Sequence, residues 1–248
     1  MELSKRLETI VSLVTEGNRA ADVGCDHGYV PIELVSRGIS PSAIAADVRE
    51  GPLSRAKDHI LAAGLDGRIE ARLSDGLKAI RPGEADSLIM SGIGGPLMVR
   101  LLREERETAH SFRELILSPQ SDLEQARRFL HEDGYTVRSE YYCMEDGKYY
   151  VIMQVVPAAD PEKWSKEEYL YGKRIAPETE TAAAAYLDYI EKKQGRLLMS
   201  LQAQLEPGDP RIAAVKEQQR LTRQRQSQLH ETRKENPEDT CKCAEMAD

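Results

Sequence analysis

Aromatic residues are scarce, only 5% of 248, and no apolar run approaches the roughly 18 residues that a membrane-spanning helix needs. The four cysteines, Cys25, Cys143, Cys241 and Cys243, are too unevenly placed for a disulfide framework or a zinc site. They predict a reducing, cytoplasmic setting and no metal. The opening MELSKRLETIVSLV contains acidic residues, is patterned like an amphipathic helix and lacks a small-residue cleavage site, so no signal peptide is expected. There is also no excess of positive charge. At a net charge of −8 the whole molecule is not a generic polyanion binder, and any nucleic-acid surface must be local. What is present is 40% apolar residues, enough for a sizeable core, beside 31% charged residues that imply a strongly solvated part.

From residue 1 to about 158, short apolar runs alternate with amphipathic stretches. The runs are Ala20–Val23, Ala43–Asp47, Ile69–Leu73, Asp86–Met90, Glu114–Leu117, Tyr135–Met144 and Lys148–Val156. Helical spacing recurs between the first five, as at Leu53, Ala56, Ile60 and Ala63 within Gly51–Ala63, and again over Asp122–Glu132. Strands separated by helices predict βαβ units and a parallel sheet. The last two runs are joined only by Glu145-Asp146-Gly147, a hairpin signal. The prediction is an α/β, Rossmann-like sheet of seven strands ending in an antiparallel hairpin.

Composition changes near Pro157–Pro161. Residues 159–248 are rich in alanine, glutamine and charge, and predict a second, helical domain. A heptad-like stripe runs through Ala183, Leu187, Ile190, Gln194, Leu197, Leu201 and Gln204, then Pro207-Gly208-Asp209-Pro210 breaks the helix. A second arm from Arg211 to about Lys234 has a sparse apolar face (Ile212, Val215, Leu221, Leu229), so a coiled-coil-like hairpin with weak pairing is expected. That arm contains seven Lys/Arg against two Glu, a local +5. The tail from about residue 235 is expected to be disordered.

The loops after the strands hold the chemistry. In Ala21-Asp22-Val23-Gly24-Cys25-Asp26-His27-Gly28-Tyr29 a strand enters a glycine-bearing turn and then a helix. The spacing is G-x-x-x-G rather than the phosphate-gripping G-x-G-x-x-G. Asp22 at the strand end repels pyrophosphate but can accept from an amine. S-adenosylmethionine has an ammonium and a sulfonium and no phosphate, so charge favours it over NAD. Asp47, 23 residues after Gly24, is placed to receive ribose hydroxyls, with Val48 beside it. Ser74-Asp75-Gly76 offers either a carboxylate near the adenine amino group or a plain turn. Ser91-Gly92-Ile93-Gly94-Gly95 exposes backbone to a flat ligand. In Leu117-Ser118-Pro119-Gln120-Ser121-Asp122, Gln120 offers an amide to a base edge, while Ser121 or Asp122 caps the next helix. His27, inside the glycine loop, orients it. His59, His110, His131 and His230 read as solvated helix residues, and Cys25 as a packing residue rather than a nucleophile.

Together ADVGCDHGYVP, AADVREGPL, the SGIGG loop and LILSPQSDLEQARRFL resemble, in order, the bacterial TrmK family. These are class I methyltransferases acting on N1 of adenine 22 of tRNA, with a helical, coiled-coil-like C-terminal domain. The resemblance implies S-adenosyl-L-methionine as cofactor and tRNA as partner, with no membrane and a monomer or weak dimer. It places Asp22, Gly24, Asp26, Gly28, Asp47 and Asp75 at cofactor-pocket positions, and Cys25, Val48, Gly76, Ser91 and Gly92, in the same loops, are expected around the cofactor with them. For the methyl transfer itself, Asp26 is the expected stabiliser of the new cation with His27 and Tyr29 shaping the pocket, and Ile93, Gly94, Gly95, Pro119 and Gln120 are expected against the base. Arg220, Arg223 and Arg225 then fall to tRNA phosphates. The Asp-Pro-Pro-Tyr-type loop of amino-group methyltransferases is replaced by Ser91–Gly95, which suits a ring nitrogen as target. Two other readings stay open, an NAD-dependent oxidoreductase and a noncatalytic RNA-binding or scaffold protein that keeps a cofactor fold.

Overall fold

Short apolar runs bounded by glycine, aspartate and serine become strands, and the amphipathic stretches between them become helices, in the computed structural model, which describes residues 3–235. The elements run α1 (Lys5–Ser12), β1 (Ala20–Val23), α2 (Tyr29–Ser36), β2 (Ala43–Asp47), α3 (Glu50–Ala62), β3 (Ile69–Leu73), β4 (Ser87–Ser91), α4 (Gly95–Glu104), α5 (Arg106–Ser111), β5 (Glu114–Ser118), α6 (Leu123–Glu132), β6 (Thr136–Glu145) and β7 (Lys148–Val156). The sheet order is β3-β2-β1-β4-β5-β7-β6, with β1 to β5 parallel and β7 antiparallel to β5. Every residue of β1, β2 and β5 is buried, as expected of parallel strands covered on both faces. The β6–β7 turn has positive φ at both Asp146 (50°) and Gly147 (73°), the conformation that a two-residue hairpin loop favours.

Contacts divide the chain into two units. One runs to Glu162 except for Tyr141–Cys143; the other takes Tyr141–Cys143 and continues from Lys163. The second unit holds α7 (Lys166–Tyr171), a 3-10 turn (Pro177–Thr179), α8 (Glu180–Gln204) and α9 (Pro210–Glu235). The sequence reading passed over α7, although its capping box is written there: Ser165 Oγ accepts from the Glu168 N–H and Glu168 accepts from the Ser165 N–H.

In that unit α8 and α9 run antiparallel, with Asp188 opposite Gln226 and Glu191 opposite Arg223. The sparse apolar face of α9 is used in full, since Ile212, Val215, Leu221 and Leu229 are all buried. The expected weakness is offset by a buried polar knot. Thr222 Oγ1 donates to Gln194 Oε1 at 2.9 Å, Gln194 Nε2 donates to Tyr171 Oη at 3.3 Å, and that hydroxyl lies 2.7 Å from Thr222 Oγ1. The heptad-like stripe on α8 is only partly a seam. Ala183, Leu187 and Gln194 are buried, whereas Leu197 is 48% exposed and Gln204 is exposed. Among the described residues no helix is long and apolar enough to cross a membrane, and no cluster of His, Cys, Asp and Glu could hold a metal. The expected disordered tail and Cys241 and Cys243 lie outside the described residues.

Candidate active site

Strand order reverses between β2-β1 and β1-β4, the switch point where parallel α/β sheets open a crevice at the carboxyl ends of their strands. A cavity of about 630 Å³ lies there, within the first unit. Of the positions in this unit expected around the cofactor, the base or the reacting centre, all but Gly28, Gly94, Gly95 and Pro119 line it. Those four serve the frame. Gly28 starts α2 in the left-handed region (φ 73°), with the Cβ of Ala56 only 3.1 Å from where its own would be. Pro119 is buried.

Gly94 and Gly95 belong to a junction between two loops. The Gly92 N–H donates to the Ser118 carbonyl at 3.3 Å, the Gln120 N–H to the Ile93 carbonyl at 2.9 Å, and the Gly95 N–H to the Ser121 carbonyl at 3.1 Å. The loops after β4 and β5 are thus stitched by main chain. A Cβ on Gly95 would overlap the Ser121 carbonyl oxygen. The expected side-chain cap on α6 is not made by Asp122, which instead sits at the N-cap with φ 53° and no capping bond. Ser121 contributes its carbonyl to the junction.

The aspartates differ sharply. Asp22, 4% exposed, receives no hydrogen bond among the described residues, and burial together with the nearby Asp47 pushes its carboxyl up to about 7, against the pull of Arg6. Asp47 is equally buried but is held: one oxygen accepts from the Asp26 N–H at 3.2 Å and the other from the Arg49 N–H at 2.9 Å. A carboxylate has further lone pairs to offer beyond these two. Asp26 adopts φ 48°, rare for a residue with a side chain, and its exposed carboxylate lies 3.6 Å from His27 Nε2 and 3.8 Å from Arg55. Asp75 is paired with Lys78 at 2.6 Å and faces Arg100 at 3.8 Å, which hold its carboxyl below the usual range.

His27, Tyr29 and His59 form a cluster of near-parallel rings with centroids 5.3 to 5.8 Å apart. His59 is therefore not a solvated helix residue. It is half-buried, and its Nδ1 lies 3.0 Å from the His27 carbonyl, tying α3 to the glycine loop. His110 and His131 are half-buried as well, His110 against Asp133 and Tyr135, and only His230 is exposed as expected. Among the described residues His27 Nδ1 is buried without a partner. Cys25 is buried, and desolvation with Asp22 nearby pushes its thiol far up, which removes it as a nucleophile.

The cavity is not the purely acidic ring that the sequence suggested, because Arg6, Arg49 and Arg100 also line it. Arg6 was missed altogether, since α1 lies far in sequence from everything it touches here. In the second unit Arg220 and Arg223 are exposed and paired with Glu217 and Glu191, but Arg225 is only 9% exposed and donates to the Lys173 carbonyl. Arg225 is therefore unavailable as a surface cation.

Comparison with known proteins agrees with this geometry. A family profile described as a methyltransferase domain matches residues 3–153. The tRNA (adenine(22)-N(1))-methyltransferase of Bacillus subtilis is 34% identical over 160 residues, covering 64% of this chain and 67% of that one. Among solved structures, the B. subtilis m1A22 tRNA methyltransferase TrmK superposes with a TM-score of 0.79 at 25% identity, over 90% of this chain and 98% of that one. A Streptococcus pneumoniae protein in complex with S-adenosyl-L-methionine superposes with a TM-score of 0.80 at 30% identity, over 90% and 99%. Profile, sequence and fold converge: the chain belongs to the TrmK family of class I methyltransferases.

Proposed function

We propose that this protein methylates N1 of adenine 22 in tRNA, using S-adenosyl-L-methionine. The observation that carries the reading is Asp22, a buried carboxylate without a donor among the described residues, beside the held carboxylate of Asp47. Such a group calls for a cation, and it fits the ammonium of the cofactor while repelling a pyrophosphate. Asp47 has remaining lone pairs for the ribose hydroxyls. Val48, 60% exposed at the cavity, gives the nucleoside an apolar rest. Bound here, S-adenosylmethionine supplies an electrophilic methyl group on a sulfonium.

The chain's own task is alignment and charge. Neutral adenine already carries a lone pair at N1, so no base is needed to remove a proton first. The stitched loops of Ile93 and Gln120 form a wall whose position is set by main chain. The rings of His27 and Tyr29 give the base an aromatic surface. The product base is cationic, and the exposed carboxylate of Asp26 stabilises that charge. N1 lies on the pairing edge, so the nucleotide must leave its stack at a cost of a few kcal/mol. Exposed Arg220 and Arg223 of the helical unit recover part of this by holding phosphates. The reading implies the cytoplasm, where Cys25 and Cys143 stay reduced, and a monomer or weak dimer.

Incubating unmodified tRNA with methyl-labelled cofactor tests the proposal. Label in N1-methyladenine at position 22, lost when that adenine is replaced, is the expected result. Binding of tRNA without label transfer would favour a noncatalytic RNA-binding protein instead.

A further inference from the structure

The last two strands are about twice as long as the others: β6 has 10 residues and β7 nine, against four or five in β1 to β5. β7 pairs with β5 only from Met153 to Val155, opposite Leu117 to Leu115. From Ile152 to its turn at Asp146-Gly147 the hairpin therefore runs on past the last of those pairs. Lys148 stands about 16 Å beyond it, at roughly 3.3 Å per residue. This is the end of the sheet at which the cavity opens.

The overhang is held against the cavity rim. Arg6, which lines the cavity, donates from its backbone N–H to Glu145 at 3.2 Å, and its guanidinium lies 5.1 Å from the centre of the Tyr150 ring. The same guanidinium donates to Ser91 Oγ at the end of β4. Glu145 and Tyr150 thus face α1, and because successive strand residues alternate, Met144 points to the other side. Val151, Ile152 and Met153 are buried, whereas Met144 is 54% exposed. Lys148, just across the turn, is exposed and makes no ion pair among the described residues. A hairpin needed only to complete the sheet could turn level with Ser118. This one brings a flexible apolar side chain and a cation to the rim of the site.

An adenine that leaves its stack opens a gap between its neighbours, and an apolar wedge that fills the gap holds the base out. Methionine suits this task because it is unbranched, flexible and polarisable. We propose that the tip of the β6–β7 hairpin enters the RNA beside adenine 22, with Met144 in the vacated place and Lys148 on an adjoining phosphate. This rests on the substrate reading above and deepens it. Met144 is then a positioning residue, acting on the neighbours of the reacting base and not on its N1.

The test gives the full-length protein two tRNAs, one intact and one in which the nucleotide opposite adenine 22 is abasic. On intact tRNA, Met144→Ser should lower kcat about tenfold, with S-adenosylmethionine affinity within about twofold of wild type. On the abasic tRNA, where the adenine is already free to swing out, the two proteins should agree within about threefold. Met144→Leu, which keeps an apolar wedge, should retain at least about half the wild-type rate on both. With 2-aminopurine in place of adenine 22, the fluorescence gained on binding should be at least about threefold smaller for Met144→Ser. An undiminished rate on intact tRNA, or an equal loss on both tRNAs, overturns the wedge while leaving the methyltransferase reading standing. Wild type that methylates neither tRNA overturns both.

Discussion

Asp22 and Asp75 end up in opposite states, although both stand at the carboxyl end of a parallel strand or just beyond it and line one cavity. Asp22 is buried and accepts no hydrogen bond among the described residues, its carboxyl raised to about 7. Asp75 is only half-buried and is paired with Lys78 and Arg100, its carboxyl lowered. The central strand β1 has neighbours on both sides, and the edge strand β3 has one. Position in the sheet, more than residue type, therefore decides which carboxylate awaits a ligand and which is already neutralised. A buried charge whose partner is missing is a binding site in waiting; a solvated pair is surface.

Replacing each aspartate by asparagine should separate them most. Asp22→Asn is expected to weaken S-adenosylmethionine binding by at least about 100-fold in calorimetry, since it removes the charge facing the ammonium. A loss below about fivefold would erase the distinction drawn here. The pH profile follows with a definite sign. The free Asp22 carboxyl titrates near 7 and must be ionised to hold a cation, so wild-type affinity should fall as pH drops from 7 to 5, with proton release on binding. Stability without ligand runs the other way. With a folded pKa above the unfolded value of 3.8, wild type loses stability as pH rises from about 4 to 7, on the order of a few kcal/mol. Asp22→Asn should hence raise the ligand-free melting temperature at pH 8 more than at pH 5.

The loop junction gives a second contrast. Gly95→Ala should cost about 1–3 kcal/mol in urea unfolding, because its Cβ meets the Ser121 carbonyl. Gly51→Ala, whose Cβ has nothing nearer than an Arg55 nitrogen at 4.0 Å, should be neutral or slightly stabilising. Equal effects would mean that the junction does not constrain the wall. Smaller again, Asp26→Ala should slow turnover about tenfold, some 1.4 kcal/mol, with cofactor affinity kept. Charge reversal at Arg220 and Arg223 should weaken tRNA binding about tenfold, flatten its salt dependence and leave cofactor binding alone. Asp75→Asn closes the series with less than about a threefold change in cofactor affinity, its charge being already paired.

Much of this was written locally in the chain. The run Ala20–Val23 becomes β1 residue for residue because, Asp22 apart, it is apolar as a strand buried on both faces must be, and Gly24 ends it. Asp146-Gly147 specifies its turn by itself. What stayed hidden depends on distant packing. Arg6 meets Ser91 from 85 residues away, and His59 looked like one more polar residue on a helix until α3 came to lie beside the His27 carbonyl. Arg225 reads as one cation among several on α9, and only the helix rotation that buries Leu221 and Leu229 takes it inside with them. The α7 capping box was legible, but a six-residue helix offers too little periodicity to draw attention.

The three bonds between the loops after β4 and β5 involve only peptide groups, and so do not depend on what Ile93 and Gln120 carry beyond Cβ. Scaffold and reader are thereby separated at one place in the molecule. On the proposed reading, exchanging those two side chains would alter what an incoming base encounters without shifting the plane in which it is met, which makes them the natural pair to vary in redirecting the enzyme toward another nucleotide.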